Sequence, residues 1–551
     1  MNVRAQQQAM RTKAGTVKYI AVSVLLLLAS CADDSSKTEA STDASTPTDS
    51  TVVPTKEAGV VEAGPTFGCK ECGPTTDSFF SNDKVATLRL TFDEADTKPF
   101  GYKADEWLDL LWEKWNNHCG PYEWVPLTMQ YESPDHDGDV TMEDVAIRLR
   151  GTKSRGRNPL AGFKLDFTKA LEGSPTRRFA GLSRLNALSN EGDESNMVQC
   201  MGYKLMRDFG IEAPACNHLQ VYINDELYGL MENVERGSDS RFLKHHFSDN
   251  DGALYAGSAS CGFTDSLADL EYKGDKFDEN YTLAYDIVKG APADAEANLI
   301  PMLKCGDDTQ TPDDSEFQSC ISDWIDVDEW LKEIAAESLI PSLEDFFGAR
   351  RNFYMYFLPD TTAPHGGRMK VWGWDYDTVL QLSTCYPGNC DPFTSVAGWF
   401  GPKGKRQNLV VRLTRVFKQQ YCEQLNSFLD EVYDPEKVDE MASTIEPLMK
   451  TDPVVPYENW QAEVKRMRDY MVSHKQAMQA MVDMRCSEMA EMPDAGSETP
   501  DSGSPSTSSG MDASSPGTSM SSDAASPTTG SEARDAATQS TVDAASEAGT
   551  L

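Results

Sequence analysis

Apolar and polar positions alternate at Thr87-Leu88-Arg89-Leu90-Thr91-Phe92 and at Val145-Ala146-Ile147-Arg148-Leu149-Arg150, which predicts two strands. Phe163-Lys164-Leu165-Asp166-Phe167 predicts a third. The spacing becomes helical over 196–209, where Met197, Cys200, Met201, Leu205, Met206 and Phe209 share a face and Gly210 closes the run. His218 to Ile223 and Leu227 to Met231 predict a hairpin around Asn224-Asp225-Glu226. Farther along, 327–343 predicts an amphipathic helix with Trp330, Leu331, Ile334, Leu339 and Ile340 on its apolar face. Two strand-like runs follow at 352–358 and 368–374, then long helices at 409–432 and 459–489. Strands dominate the first half and helices the second, and no internal repeat is evident.

The ends of the chain read differently. Arg4, Arg11, Lys13 and Lys18 precede an apolar run at 19–29, too short for a spanning helix and of signal-peptide size. It ends in Leu28-Ala29-Ser30-Cys31, the form of a bacterial lipobox, so residues 1–31 predict a cleaved lipoprotein signal with lipidated Cys31 as the new N-terminus. The expected location is outside the cytoplasm, anchored to a membrane by lipid alone. Ala32 after the lipid cysteine favours the outer membrane or cell surface, by analogy with other bacteria. Segments 32–64 and 490–551 are built of Ser, Thr, Asp, Ala and Pro with few large apolar residues, which predicts a disordered linker and a disordered tail. The expected folded domain is 65–489, which holds all ten Trp.

A net charge of −38 argues against nucleic acid as a partner. The 13 cysteines, less the lipidated one, leave an even number, as disulfide pairing in an oxidising compartment favours. Cys69/Cys72 and Cys385/Cys390 are near enough for local pairs, and the remaining connectivity is open. One C-x-x-C without a second pair is a weak zinc signal. The turn at Pro134-Asp135-His136-Asp137-Gly138-Asp139 misplaces the glycine of a calcium loop. Gly151 to Gly156 has P-loop glycine spacing, but Arg157-Asn158 stand where Lys-Ser/Thr should. The H-R-D and D-F-G tripeptides of ordinary kinases are missing.

A different ordered set of segments carries a resemblance. Ile147-Arg148-Leu149-Arg150-Gly151-Thr152-Lys153-Ser154 with Gly162-Phe163-Lys164-Leu165-Asp166-Phe167 resembles R-x-R-G-N-S-S … Y-K-I-x-F. Asp193, Gly210, Val221-Tyr222-Ile223-Asn224, Tyr228-Gly229 and Glu235 resemble D … L-G … V-x-I-N-G-x-x-x-G-x-Y … E. Asp345, then Asn352-Phe353-Tyr354-Met355-Tyr356, then Trp374-Asp375-Tyr376-Asp377 resemble D … N-Y-Y-L-Y … W-D-L-D, and the final helix with Arg466 and Arg468 also fits. Together they resemble the spore coat protein H (CotH) family of atypical protein kinases. Asp225 replaces a glycine of that pattern, and Thr152-Lys153 replace Asn-Ser.

The resemblance implies an α+β, atypical-protein-kinase-like bilobal fold. Its strand-rich N-lobe would span about 80–240 and its helix-rich C-lobe about 241–489. It implies transfer of the γ-phosphate of ATP, with Mg²⁺ or Mn²⁺, to Ser/Thr of extracytoplasmic proteins. By composition and tethering, the Ser/Thr-rich tail of this chain is a candidate acceptor, the alternative being a tail that is merely solvated or glycosylated. Such chemistry needs charge neutralisation and positioning more than covalent help. Lys164, mid-strand, and Arg150 are the expected phosphate-binding cations. Asp345 would take the acceptor proton, with Glu344 a competing assignment. Asp375, at a strand end beside Trp374, is the expected metal ligand. Asp377 would join it if the chain stays extended, and Asn352 through its amide oxygen. Glu235 enters the nucleotide site by resemblance alone; no acid is assigned to face Lys164, and Asp193 and Glu194 lie nearby in sequence. The alternative is a surface adhesin or pseudokinase on the same scaffold; a carbohydrate enzyme using Asp375 and Asp377 fits poorly, because glycosidase acids must flank the scissile bond.

Overall fold

The computed structural model describes residues 71–81, 84–92, 124–134, 136, 139–150, 160–169, 176–188, 190, 192–257, 268–340, 342, 346, 350–380, 392–395 and 408–487. The lipobox with Cys31, segments 32–64 and 490–551, Gly151 to Asn158, Glu344, Asp345, and Cys69, Cys385 and Cys390 lie outside the described residues, as does part of the turn at 134–139.

Seven strands close into a barrel: β1 (Ala86–Thr91), β2 (Val125–Glu132), β3 (Val140–Leu149), β4 (Phe163–Asp166), β5 (Arg184–Ala187), β6 (Cys216–Ile223) and β7 (Glu226–Val234). The ring runs β1-β2-β3-β4-β5-β7-β6 and closes by parallel pairing of β6 with β1. The alternation seen in the sequence is the reason it closes. Leu88, Leu90, Ile147, Leu149, Phe163, Leu165, Leu185 and Val221 fill one core, while the residues between them face outward. The β6–β7 hairpin turns at Asn224 and Asp225, with φ of 47° and 64°. Two consecutive left-handed residues make a type I′ turn, whose twist matches a two-stranded ribbon.

Helix α1 (Val198–Asp208) packs against the barrel. After helix α2 (Ser240–Phe247) the chain builds a second sheet from β8 (Leu254–Gly257), β9 (Tyr285–Lys289), β10 (Phe353–Pro359) and β11 (Gly367–Gly373), antiparallel in the order β9-β8-β10-β11. Helix α3 (Val327–Leu339) lies on β11, and the Trp330 indole N–H donates to the Met369 carbonyl at 2.8 Å. Asp326 caps α3 by accepting from the Asp328 and Glu329 amides. Two further helices, at Ile300–Gly306 and Asp314–Trp324, precede α3, and α4 (Asn408–Val416), α5 (Lys418–Ser427), α6 (Glu436–Met449) and α7 (Tyr457–Ser487) follow the sheet.

The architecture is mixed α+β, and three details depart from the sequence expectation. Helix α3 stops at Leu339 rather than 343 because Pro341 forces the residue before it out of the helical region. The single helix expected at 409–432 is broken at Phe417 and ends in a π turn at Phe428–Val432. Strands β2, β5, β8 and β9, helices α2 and α6, and the helices at Ile300–Gly306 and Asp314–Trp324 were not anticipated; Pro447 inside α6 obscures its helical pattern. Disulfides join Cys200 to Cys216, Cys305 to Cys320 and Cys422 to Cys486. Among the described residues no helix is long and apolar enough to cross a membrane.

Candidate functional site

The outward face of β3, β4 and β5 carries a ladder of cations. Lys164 pairs across the sheet with Arg148 on one side and Asn186 on the other. Like charges directly opposite one another destabilise a sheet, so the pair is a cost the fold has kept. Arg150 continues β3, its amide donating to the Gly162 carbonyl at 2.8 Å. Arg184 is held by Asp166 at 2.6 Å, and Arg148 lies over the Trp124 ring at 5.0 Å. Burial depresses the Lys164 ammonium well below the usual lysine range, and Arg150, Arg148, Arg236 and Arg184 push the same way. Its side chain keeps a partial opening to solvent. Asp193 and Glu194 do not answer this charge. Asp193 is buried and accepts from the Ser195, Met197 and Val198 amides at the start of α1, and Glu194 is exposed.

A second group of residues meets this face. The ends of β10 and β11 are held together where the Trp374 amide donates to the Asn352 carbonyl at 2.8 Å. Both Asn352 and Asp375 are left-handed, with φ of 61° and 69°, and Arg350 nearby has φ of 53°. Non-glycine residues in that region cost energy and cluster at sites where the surroundings over-determine them. The Asp375 amide donates to the Tyr203 hydroxyl at 3.1 Å, and the Tyr203 and Tyr376 rings meet edge-on at 4.9 Å. Asp375, Arg150 and Tyr354 all act electrostatically on the Tyr203 hydroxyl. That hydroxyl, raised by burial, therefore stands between the cation ladder and the acid-bearing loop.

Below this loop two carboxylates of α3 are buried. Glu333 accepts from the Gly373 amide at 2.6 Å, and Glu337 accepts from the Tyr376 hydroxyl at 3.2 Å and the Phe346 amide at 3.3 Å. Burial pushes Glu333 up to about 8, against the pull of the Gly373 amide and of Glu337.

The structure thus places Lys164 beside Arg150, with Arg150 and Asp375 both acting on the Tyr203 hydroxyl and Asn352 tied to Trp374 next to Asp375. The argument for Asp377 from extended-chain periodicity does not hold: β11 ends at Gly373 and Asp375 is left-handed. Asp377 also acts electrostatically on buried Glu232. Glu235 accepts from the Ala215 amide at 3.1 Å and lies 3.7 Å from the His246 ring. Arg148, Arg184, Arg236, Tyr203, Glu333 and Glu337 were not singled out from the sequence. Two signals pointed to them. Arg148 sits two residues before Arg150, on the same face of its strand. Glu333 and Glu337 follow Trp330 by three and seven residues, so they fall on the apolar face of α3, where a charge is out of place.

Oxygen donors at Asp375 and Asn352 suit a hard divalent cation, and the cation ladder suits phosphate. A second set, Cys200, His218 and Glu232, has its ligand atoms within 4.8 Å of one another. The Cys200 sulfur is spent on Cys216, the Glu232 carboxylate accepts from the Cys200 amide at 2.8 Å, and the His218 ring bonds the Asn196 carbonyl at 2.7 Å.

A cation ladder facing an acid-bearing, strained loop is the kind of site that handles phosphate esters with a metal. The chain belongs to the CotH kinase protein family, whose sequence profile matches residues 147–478. That span takes in the cation ladder from Arg148 onward and the loop at Asp375. No curated protein sequence matches the chain. Among solved structures it is similar to a chain of the Shewanella oneidensis MR-1 toxin–antitoxin system HipA, HipB and operator DNA complex. The identity is 10%, the TM-score 0.29, and the match covers 56% of this chain and 61% of that one, too loose a likeness to define the fold.

Proposed function

We propose that this chain is a protein kinase that transfers the γ-phosphate of ATP to Ser or Thr hydroxyls of extracytoplasmic proteins. The observation that carries the reading is a chain of neighbours: Arg148, Arg184, Arg236 and Arg150 crowd Lys164, Arg150 and Asp375 both act on the Tyr203 hydroxyl, and Asn352 is tied to Trp374 beside Asp375. The barrel acts as one lobe and the β8–β11 sheet with its helices as the other. The cations neutralise and orient the triphosphate. A divalent cation held by Asp375 and Asn352 supplies further neutralisation of the phosphate oxygens. Asp345, one residue before Phe346, orients the acceptor hydroxyl and takes its proton. The hydroxyl oxygen bonds to the γ-phosphorus while the bond to the β,γ-bridging oxygen breaks, and ADP leaves with that electron pair.

The three disulfides favour an oxidising compartment, in keeping with export and lipid attachment at Cys31. Acceptors are proteins rich in Ser and Thr, and residues 490–551 of the same chain qualify by composition. A tethered acceptor has a high effective concentration, on the order of millimolar for a short linker.

The test is transfer of labelled γ-phosphate from ATP by the purified protein, with Mg²⁺ and then Mn²⁺, to itself and to a Ser-rich acceptor. Label on Ser or Thr that disappears in Asp345→Asn is the expected result. A wild-type protein that neither transfers label nor binds ATP contradicts the reading and leaves a binding scaffold.

A further inference from the structure

Glu333 and Glu337 are almost fully buried, one turn apart on α3. Their partners are informative. Glu333 holds the amide of Gly373, two residues before Asp375. Glu337 holds the hydroxyl of Tyr376, the residue after Asp375, and the amide of Phe346, the residue after Asp345. One rigid helix therefore reaches both chain segments on which phosphoryl transfer would depend.

Gly373 shows how closely the parts fit. Its φ is not in the left-handed region, so turn geometry does not require glycine there. A Cβ at this position would collide with Glu337 Oε1 and the Tyr376 hydroxyl. The backbone has come close enough to the carboxylate that only a hydrogen fits, the usual meaning of a glycine near a strand end. Two carboxylates buried side by side are costly, and an apolar pair would pack α3 on β11 at less expense. Leu or Met at these positions could not, however, accept from Gly373, Tyr376 and Phe346.

We infer that Glu333 and Glu337 are positioning residues which fix, from one helix, the segment after Asp345 and the left-handed turn at Asp375, and so preset the spacing of proton acceptor and metal ligand. The inference rests on the kinase reading of Asp345 and Asp375. Groups that orient metal ligands from behind alter metal affinity by about 10–100-fold when removed.

The experiment uses the full chain and its Glu337→Ala, Glu337→Gln and Gly373→Ala variants, with exposed Glu329→Gln on the same helix as control. Mn²⁺ binding is followed in the presence of ATP, and amide exchange is read at Phe346 and at Gly373 to Tyr376. Glu337→Ala should weaken Mn²⁺ binding about tenfold or more and speed exchange at both segments together. Glu337→Gln, which keeps one acceptor oxygen, should fall between. Gly373→Ala should reproduce the effect with both carboxylates intact, which separates displacement of the clamp from loss of charge. Unchanged Mn²⁺ affinity in folded Glu337→Ala and Gly373→Ala, beside a wild type that binds, overturns the inference alone. A wild type that binds no Mn²⁺ removes the reading of Asp375 and the inference with it.

Discussion

On the outer face of the barrel, Lys164 stands opposite Arg148 and is pushed below its ordinary range by burial and by arginines. Across Tyr203, under the Asp375 loop, Glu333 is pushed above its range by burial. Each group is enclosed in a way that disfavours its charged form. Their uses differ. The barrel crowds arginines around a buried Lys164, so an incoming phosphate improves its energy. The helix side spends its carboxylates on backbone amides and a tyrosine, so they serve geometry rather than charge. His246 supplies the contrast within the barrel's own neighbourhood. Burial opposes its charge too, yet Glu212 and Glu235 raise it to about 9. A cation given carboxylates goes up, and a cation given arginines goes down.

Removing the metal-binding charge is the harshest way to break this picture. Asp375→Asn should lower the rate of γ-phosphate transfer by about 100-fold or more, because charge developing on the phosphate is stabilised mainly electrostatically. Thermal melting without nucleotide should change far less than transfer does, since the hydrogen bond from the Asp375 backbone amide to Tyr203 survives the substitution.

Lys164→Met separates function from stability. ATP affinity should fall by about 10–100-fold, the worth of a charge-assisted hydrogen bond. The protein without nucleotide should gain on the order of 1 kcal/mol, because a depressed lysine crowded by arginines is replaced by an apolar chain of similar length. Equal losses of binding and stability would mean that Lys164 is structural.

A smaller effect is expected at His246. Its folded pKa, about 9, lies above the ordinary 6.5, so its stabilisation is fully present below 6.5 and disappears as pH rises through 9. His246→Gln should cost about 1–2 kcal/mol in denaturant titrations at pH 6 and little at pH 10. The smallest effect belongs to a position remote from this chemistry. Asp225→Gly places the residue best suited to a left-handed turn where φ is 64°, and should stabilise by about 0.5 kcal/mol with phosphotransfer unchanged.

Much of the barrel was legible because strands that are buried on one face alternate, as around Lys164 and at 145–150. The hairpin at Asn224 was legible for the same reason. Helix α3 was legible except for its end, which Pro341 sets. The short strand β8 carries no such signal, since Leu254–Gly257 is buried at every position and lacks alternation. At the site, Lys164, Arg150, Asp375 and Asn352 were named by type and by their order along the chain; folding sets Lys164 beside Arg150, and Arg150 and Asp375 about Tyr203. Arg184 and Arg236 join them only through folding, from separate strands and loops. The periodicity argument for Asp377 failed because it assumed an extended chain, and the left-handed Asp375 turns the backbone.

The central claim is that the cation ladder and the Asp375 loop act on one bound phosphate chain, and a double-mutant cycle on ATP affinity in saturating Mg²⁺ tests it most directly. Lys164→Met, Asp375→Asn and the double variant should be non-additive, with a coupling of about 1 kcal/mol or more, because each removal changes what the other contributes to the same ligand. Strict additivity, with each variant losing its full share independently, would contradict the account.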